Sequence, residues 1–391
     1  MKIVAKLLSV LSLVYLVSNS QARDYKCTYD EDEQCVFRGV QLKSADQFTA
    51  TSFSANAGKP PRNVKFELSS MTSVPTGVFQ AFPNVEQLDA SFSGLKNLPK
   101  GSFATAKNIR EVNLTGNKIQ LLENNLFEGA TKITKLDASQ NSINEIQQNA
   151  FNGLSQLTVL KLDNNQITTL PNGVFTPLTS LESVDLQYNS LSKIDDSLFE
   201  SCTSLFSLNV SNNDLQKFEL KQFQREWSVD SIDISFNRLK AVTIPNNLRK
   251  LVASNNQLQS VQVLGKDPQL IFLRLSHNKL TSMDQIPSFN KVVTLDLSYN
   301  EIETVDFSAV TNFKNLILLK LDGNRLTTLS NSLTSQWTYL KYVHLSHNQL
   351  TQLNLNVLKT LPRIIKLDLS YNRLTELQAK DISDKFPVMV R

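Results

Sequence analysis

The sequence is poor in the residues that build small folds and catalytic sites. In 391 residues there are only 3 cysteines, 3 histidines, 11 glycines and 12 prolines. So few cysteines exclude a disulfide-dense scaffold, and the low glycine and proline exclude collagen-like or linker-like chain. Charged residues are 19% of the total and the net charge is +4, too weak a field to imply nucleic acid as a partner. Three histidines and three cysteines leave few ways to assemble a metal site or a nucleophilic triad. Phosphate-loop, dinucleotide, zinc-peptidase and nucleophile-elbow motifs are missing too. No enzyme activity, cofactor or metal is expected.

What is abundant is leucine, with 58 residues, and asparagine, with 37. Length alone suggests two or three domains, but internal repetition points elsewhere. The pattern L-x-x-L-x-L-x-x-N-x-L ends on Asn117, Asn141, Asn165, Asn189, Asn213 and Asn237, each 24 residues after the last. Shorter steps lead to Asn256, Asn278 and Asn300, and the 24-residue step returns for Asn324, Asn348 and Asn372. Upstream, Ser93 and Met71 take the asparagine slot, giving about fourteen repeats. In phase runs a second series: Phe79, Phe103, Phe127, Phe151, Phe175, Phe199 and Phe223.

This is the signature of an α/β, right-handed leucine-rich-repeat solenoid, a horseshoe with a parallel concave sheet. In each L-x-L the chain is a short strand, so Leu160 and Leu162 point inward while Val159, Lys161 and Asp163 face solvent. The turn that follows is buried and its backbone groups need partners, which an Asn amide can supply as donor and acceptor. The phenylalanines are expected to fill the space beneath the convex side. Between Asn237 and Asn300 they are lost while Pro245, Pro268 and Pro287 appear. There the convex side is expected to be thin and extended, with a local change of curvature.

Residues 1–22 read as a secretory signal: Lys2 and Lys6, an apolar run from Leu7 to Val17, then Ser20 and Ala22. The alternative, a membrane anchor, needs a longer run. No other stretch of about 18 apolar residues exists, so a secreted, extracellular chain without a membrane span is expected. In that compartment Cys27 and Cys35 are expected to pair and close an N-terminal cap at 23–62, ahead of repeats over 63–391. Cys202 shares its slot with Ala130, Leu154 and Leu178 and reads as a buried thiol, with an intermolecular disulfide as the alternative. No cysteine-rich cap follows the last repeat. Counting on from Ile364 and Leu367, the next inward slots hold Val388 and Arg391. Either Phe386, Pro387 and Val388 fold over that edge, or a partner or second copy covers it, making a homo- or hetero-oligomer.

Two sequons, Asn113-Leu-Thr115 and Asn209-Val-Ser211, put their asparagines on outward strand slots. They are candidate glycosylation sites or else ordinary polar strand residues. The same slot is mostly acidic or amide early on, with Glu67, Asp89, Asp137, Asp185 and Asp233 relieved by Lys161. Later repeats place Arg274, Lys320 and His344 there, interrupted by Asp296. The column two residues earlier holds Phe272, Leu318 and Tyr342, apolar for exposed positions. Aromatic and arginine side chains on a rigid sheet make interface anchors, so these six are the candidate concave binding patch. The bland alternative is that strand surfaces favour such residues and that Asp before Leu-Ser is routine. His344 and His347 could suggest a metal but lack a third ligand and read as solvated histidines.

Across the mature chain the sequence resembles insect extracellular leucine-rich-repeat proteins. Val64-Lys-Phe-Glu-Leu-Ser-Ser-Met71 with Val74-Pro75 resembles the first-repeat opening of dipteran secreted members. Ser231-Ile-Asp-Ile-Ser-Phe-Asn237, Ile244-Pro245 and Leu251-Val-Ala-Ser-Asn-Asn256 resemble the short middle repeat of the mosquito leucine-rich immune (LRIM) family. That resemblance implies a haemolymph protein that joins complexes with complement-like thioester proteins or with another leucine-rich-repeat protein. The chain departs from the long members in lacking their cysteine-rich cap and coiled-coil tail; a coil-less type fits it best, with a truncated gene product as the alternative. The expected function is secreted, non-enzymatic recognition of a protein or microbial surface ligand, in innate immunity. Alternatives are a cell-adhesion, matrix or receptor-ectodomain role, or a regulatory subunit of an extracellular enzyme.

Overall fold

The structure, a computed structural model, describes residues 24–43, 53–55, 60–219, 223, 229–306, 313–330, 339–353 and 363–375. The expected leader at 1–22 and the tail residues Phe386, Pro387, Val388 and Arg391 lie outside these. The chain divides into two compact units, 1–159 and 160–391. Both are solenoids of short parallel strands.

In the first unit the Cys27–Cys35 disulfide forms as the spacing predicts. Tyr25–Tyr29 runs antiparallel to Cys35–Arg38. Cys35–Arg38 then pairs in parallel with Asn63–Glu67, so a rung already lies inside the stretch expected to be non-repeating. Phe37 packs on Phe53 and Phe66, with ring centroids 5.3 and 5.4 Å away, and all three are buried. The ladder continues through Gln87–Asp89, Glu111–Asn113 and Lys135–Asp137.

The register at the start differs from the expected one. Val64 pairs with Leu88, so the residue equivalent to Ser93 is Ser69, and Met71 falls in the next inward slot, equivalent to Leu95. The Ser69 hydroxyl accepts the Val40 N–H at 3.1 Å and donates to the Glu67 carbonyl at 2.9 Å. One hydroxyl thus does part of an asparagine's work, while the thioether of Met71 is buried with the core.

In the second unit the rungs include Ser183–Asp185, Ser207–Asn209, Ser231–Asp233, Lys250–Val252, Phe272–Arg274, Thr294–Asp296, Leu318–Lys320, Tyr342–His344 and Lys366–Asp368, each parallel to the next. The short middle repeats have an extended convex side: Ala241–Ile244 pairs with Ser260–Val263 over four residues. Helix is scarcer than an α/β class implies. Among the described residues there is one five-residue α-helix, Gly77–Ala81, and a 3-10 turn, Met283–Gln285. No described helix is long and apolar enough to cross a membrane.

The asparagine ladder explains why so few regular elements suffice. The Asn213 carbonyl accepts the Leu191 N–H at 2.9 Å, and its amide donates to Leu186 O at 3.0 Å and Val210 O at 3.2 Å. Each such side chain therefore bonds its own turn and the preceding one, satisfying buried groups that water cannot reach. A short step leaves this arrangement intact. Asn256 still accepts from Leu239 N, 17 residues back instead of 22, at 3.0 Å, and the convex side absorbs the missing residues.

Beneath it runs the phenylalanine spine. Phe79–Phe103 and Phe103–Phe127 centroids are 5.8 and 5.1 Å apart in the first unit. Phe175–Phe199 and Phe199–Phe223 are 5.6 and 5.8 Å apart in the second. The spine does not end there. Phe289 and Phe313, 6.2 Å apart and buried, resume it from the slot that holds Leu178 and Cys202 in earlier repeats. Cys202 is itself fully buried and unpaired, as expected of a core thiol, and burial pushes it up to about 12.

Candidate functional site

The acidic column has a local explanation. In the first unit the side-chain oxygens of Asp89, Asn113 and Asp137 accept the N–H groups of Ser91, Thr115 and Ser139, at 3.0, 3.0 and 3.1 Å. In the second, Asp185, Asn209, Asp233 and Asp368 do the same for Gln187, Ser211, Ser235 and Ser370. Each is an Asx turn that ends a strand. Asp185 shows the cost, since burial holds its carboxyl above the usual range while the Gln187 N–H pulls it back. Both candidate glycosylation asparagines, Asn113 and Asn209, belong to this set and sit half-buried at strand ends.

The cationic slots break this rule. Arg274 and Lys320 have no side-chain acceptor to offer and His344 has no carboxylate or amide oxygen, so the turns after Arg274 and His344 find others. The Ser276 hydroxyl donates to Ser254 Oγ at 2.8 Å, and Ser346 bonds Asp322 through its N–H at 3.1 Å and its hydroxyl at 2.8 Å.

Strand pairing brings the six candidate residues into two adjacent columns. Phe272, Thr294, Leu318 and Tyr342 stand side by side on consecutive rungs, and Arg274, Asp296, Lys320 and His344 form the next column. Phe272 and Leu318 are half-buried and Tyr342 is 37% exposed. The Arg274 guanidinium lies 5.3 Å from the Phe272 ring centre and the Lys250 ammonium 5.8 Å. Asp296, buried at the strand end, takes Arg274 at 3.5 Å and Lys320 at 4.0 Å.

Two further columns were invisible to a search for leucine and asparagine alone. One leads the strands. Ile271, Val293 and Ile317 are partly exposed in unit two, where Glu86, Arg110 and Thr134 hold the same slot in unit one. The signal was a β-branched residue two positions before L-x-L. Together with Phe272 and Leu318 these residues widen the apolar patch. The second column precedes each asparagine, or Ser93 in its slot, and is left-handed at Phe92, Tyr188, Phe236, His277, Tyr299, His347 and Tyr371, with φ from 50° to 56°. Bulky residues rarely adopt that region, yet Tyr299 and Tyr371 are 49% and 75% exposed. His277 stacks on Tyr299 at 4.4 Å and His347 on Tyr371 at 4.2 Å. His347 is thus an exposed stacking partner, and among the described residues no cluster could hold a metal ion.

Comparison with known proteins agrees with this architecture. Solved structures with the same fold include the mosquito LRIM1/APL1C complex, at TM-score 0.72 and 26% identity over 90% of this chain. This chain spans 60% of that relative's length. The mosquito APL1 leucine-rich repeat domain follows at TM-score 0.69 and 26% identity, over 90% of this chain and 84% of that one. Drosophila Toll in complex with Spatzle shares the fold at TM-score 0.67 and 17% identity, over 88% of this chain and 54% of that one. No curated protein sequence matches the chain. The family described as leucine rich repeat matches residues 83–143, 131–191, 179–239 and 314–374, more than half of the sequence. With the asparagine ladder, the leucine core and this match in agreement, the chain belongs to the leucine-rich repeat family.

Proposed function

We propose that this chain is a secreted, non-enzymatic recognition protein of innate immunity, and that the concave patch of residues 160–391 grips a protein partner. The observation that carries the reading is the alignment of Phe272, Leu318 and Tyr342 beside Ile271, Val293 and Ile317. It is an apolar surface bordered by cations that replace turn-forming aspartates. Exposed apolar groups of this kind, rimmed by charge, are the usual anatomy of a protein contact.

The immune role rests on likeness to the LRIM1/APL1C complex and to APL1, at 26% identity each. The former is an assembly of two proteins, which makes another leucine-rich-repeat chain the leading class of partner; a complement-like thioester protein rests on the family resemblance alone. Secretion is supported by the charged and apolar leader at 1–22 and by the Cys27–Cys35 disulfide. Glycans on Asn113 and Asn209 would fit the same compartment.

Affinity capture from extracellular fluid, followed by mass spectrometry of bound proteins, tests this. The expected result is an immune protein held by the wild type and lost when Phe272, Leu318 and Tyr342 are replaced by Ser. Capture unaffected by those replacements removes the patch. Constant expression on neurons or muscle, without induction by infection, would favour an adhesion role instead.

A further inference from the structure

Resting on that patch as the contact surface, we propose that its partner presents an acidic protein segment with interspersed apolar side chains, lying across the rungs from Lys250 to His344. Charge is the first argument. On the outward slots of these rungs and the next, Lys250, Arg274, Lys320 and Lys366 face only Asp296 and Asp368. Asp368 is engaged by Ser370 through both its N–H and its hydroxyl, at 3.1 and 2.7 Å. Asp296 is engaged likewise by Ser298. Its contacts to Arg274 and Lys320, at 3.5 and 4.0 Å, are longer than a charge-assisted hydrogen bond of about 2.8 Å. A guanidinium carries five donors and an ammonium three, so most of that capacity points to solvent.

Lys250 sharpens the case. Among the described residues no carboxylate lies within bridging distance of its ammonium, which rests 5.8 Å from the Phe272 ring centre, with the Arg274 guanidinium 5.3 Å from the same ring. Ring and cations hold one another in place before any ligand arrives, which lowers the ordering cost of binding.

The apolar columns decide what kind of anion fits. A nucleic-acid backbone or sulphated glycan would satisfy the cations but leave Ile271, Val293, Ile317 and Leu318 in water. A protein segment can do both. Its carboxylates reach the Arg274 and Lys320 column, and its apolar side chains cover the column beside it. Arg274 and Lys320 also occupy slots where turn chemistry elsewhere selects aspartate, so their placement goes against the local rule in the direction an acidic partner requires.

The test uses the full chain, immobilised, with three soluble probes: a random copolymer of glutamate and tyrosine, polyglutamate, and heparin. The expected order is copolymer tightest. Copolymer affinity should fall about tenfold or more between about 0.05 and about 0.5 M salt. Lys250→Glu with Arg274→Glu and Lys320→Glu should cost about tenfold or more, and the milder pair Arg274→Gln with Lys320→Gln a few-fold, at unchanged thermal midpoint. Ile317→Ser should weaken the copolymer and leave polyglutamate unaltered. No copolymer binding, heparin tighter than copolymer, indifference to both cation sets, or salt-sensitive self-association of the chain would each overturn the inference. Against a captured natural partner the two readings separate. Loss on replacing Phe272, Leu318 and Tyr342 but not on reversing the cations keeps the patch and removes the acidic partner. Indifference to both removes the patch itself.

Discussion

Arg274 and Lys320 hold the same carboxylate, that of Asp296 on the rung between them. Asp296 is buried, but both cations are part-exposed and the contacts are long, so each pair contributes about 1 kcal/mol or less and the trio is a weak brace and a poised charge pattern. Asp296→Asn keeps an oxygen for the Ser298 N–H but removes the shared anion. Urea unfolding should show a loss of about 1 kcal/mol or less, while affinity for an acidic ligand rises. A large destabilisation would mean that Asp296 is a structural keystone.

The asparagine ladder should behave in the opposite way. The Asn300 side chain accepts Leu280 N–H at 3.1 Å and donates to Leu275 O at 2.9 Å and Leu297 O at 3.0 Å. Asn300→Ala strands several buried groups, for a loss of about 2–4 kcal/mol in chemical denaturation. Asn255 is the same residue type in the adjacent left-handed slot, with φ 57°. Glycine adopts that backbone freely, so Asn255→Gly should stay within about 0.5 kcal/mol of wild type.

Gly323 separates space from backbone. Its φ is +64°, and a Cβ there would strike the ring of Tyr299, which lies over it. Gly323→Ala should cost about 2 kcal/mol or more, the ring clash adding to about 1–2 kcal/mol of left-handed backbone strain, read as a lowered thermal midpoint. In the double variant with Tyr299→Ala part of the loss should return, because only the backbone strain remains.

Cys202 gives a pH prediction with a definite sign. Its folded pKa is raised to about 12 by burial, above the ordinary 9.0. The unfolded chain therefore releases its proton first. The stability tied to the neutral buried thiol is complete below about pH 9 and is lost as pH rises towards 12. A thiol reagent at pH 8 should label the native protein slowly and the unfolded protein at once. Fast native labelling would contradict the buried placement.

Much of this was legible in the sequence because a solenoid writes its architecture as a period. Leu160, Asn213 and Phe127 occupy their expected places because each repeat must satisfy the same buried slots with the same chemistry. Legibility failed where a slot tolerates substitutes. Ser69 does part of an asparagine's work with a hydroxyl, so the first register slipped to Met71. Phe289 and Phe313 fill the slot of Leu178, outside the phenylalanine series being followed. The columns of Ile271 and Tyr299 fall on positions the repeat leaves open, where only packing against neighbouring rungs gives a residue meaning.

The most direct test is a binding titration of the captured partner against three forms of the full chain. These are wild type, Phe272→Ser with Leu318→Ser and Tyr342→Ser, and a control, Asp89→Asn with Asp137→Asn, which keeps the strand-end turns of the first unit. The account predicts at least about a tenfold loss for the triple variant and wild-type affinity for the control. Wild-type affinity in the triple variant, with loss in the control, would contradict it.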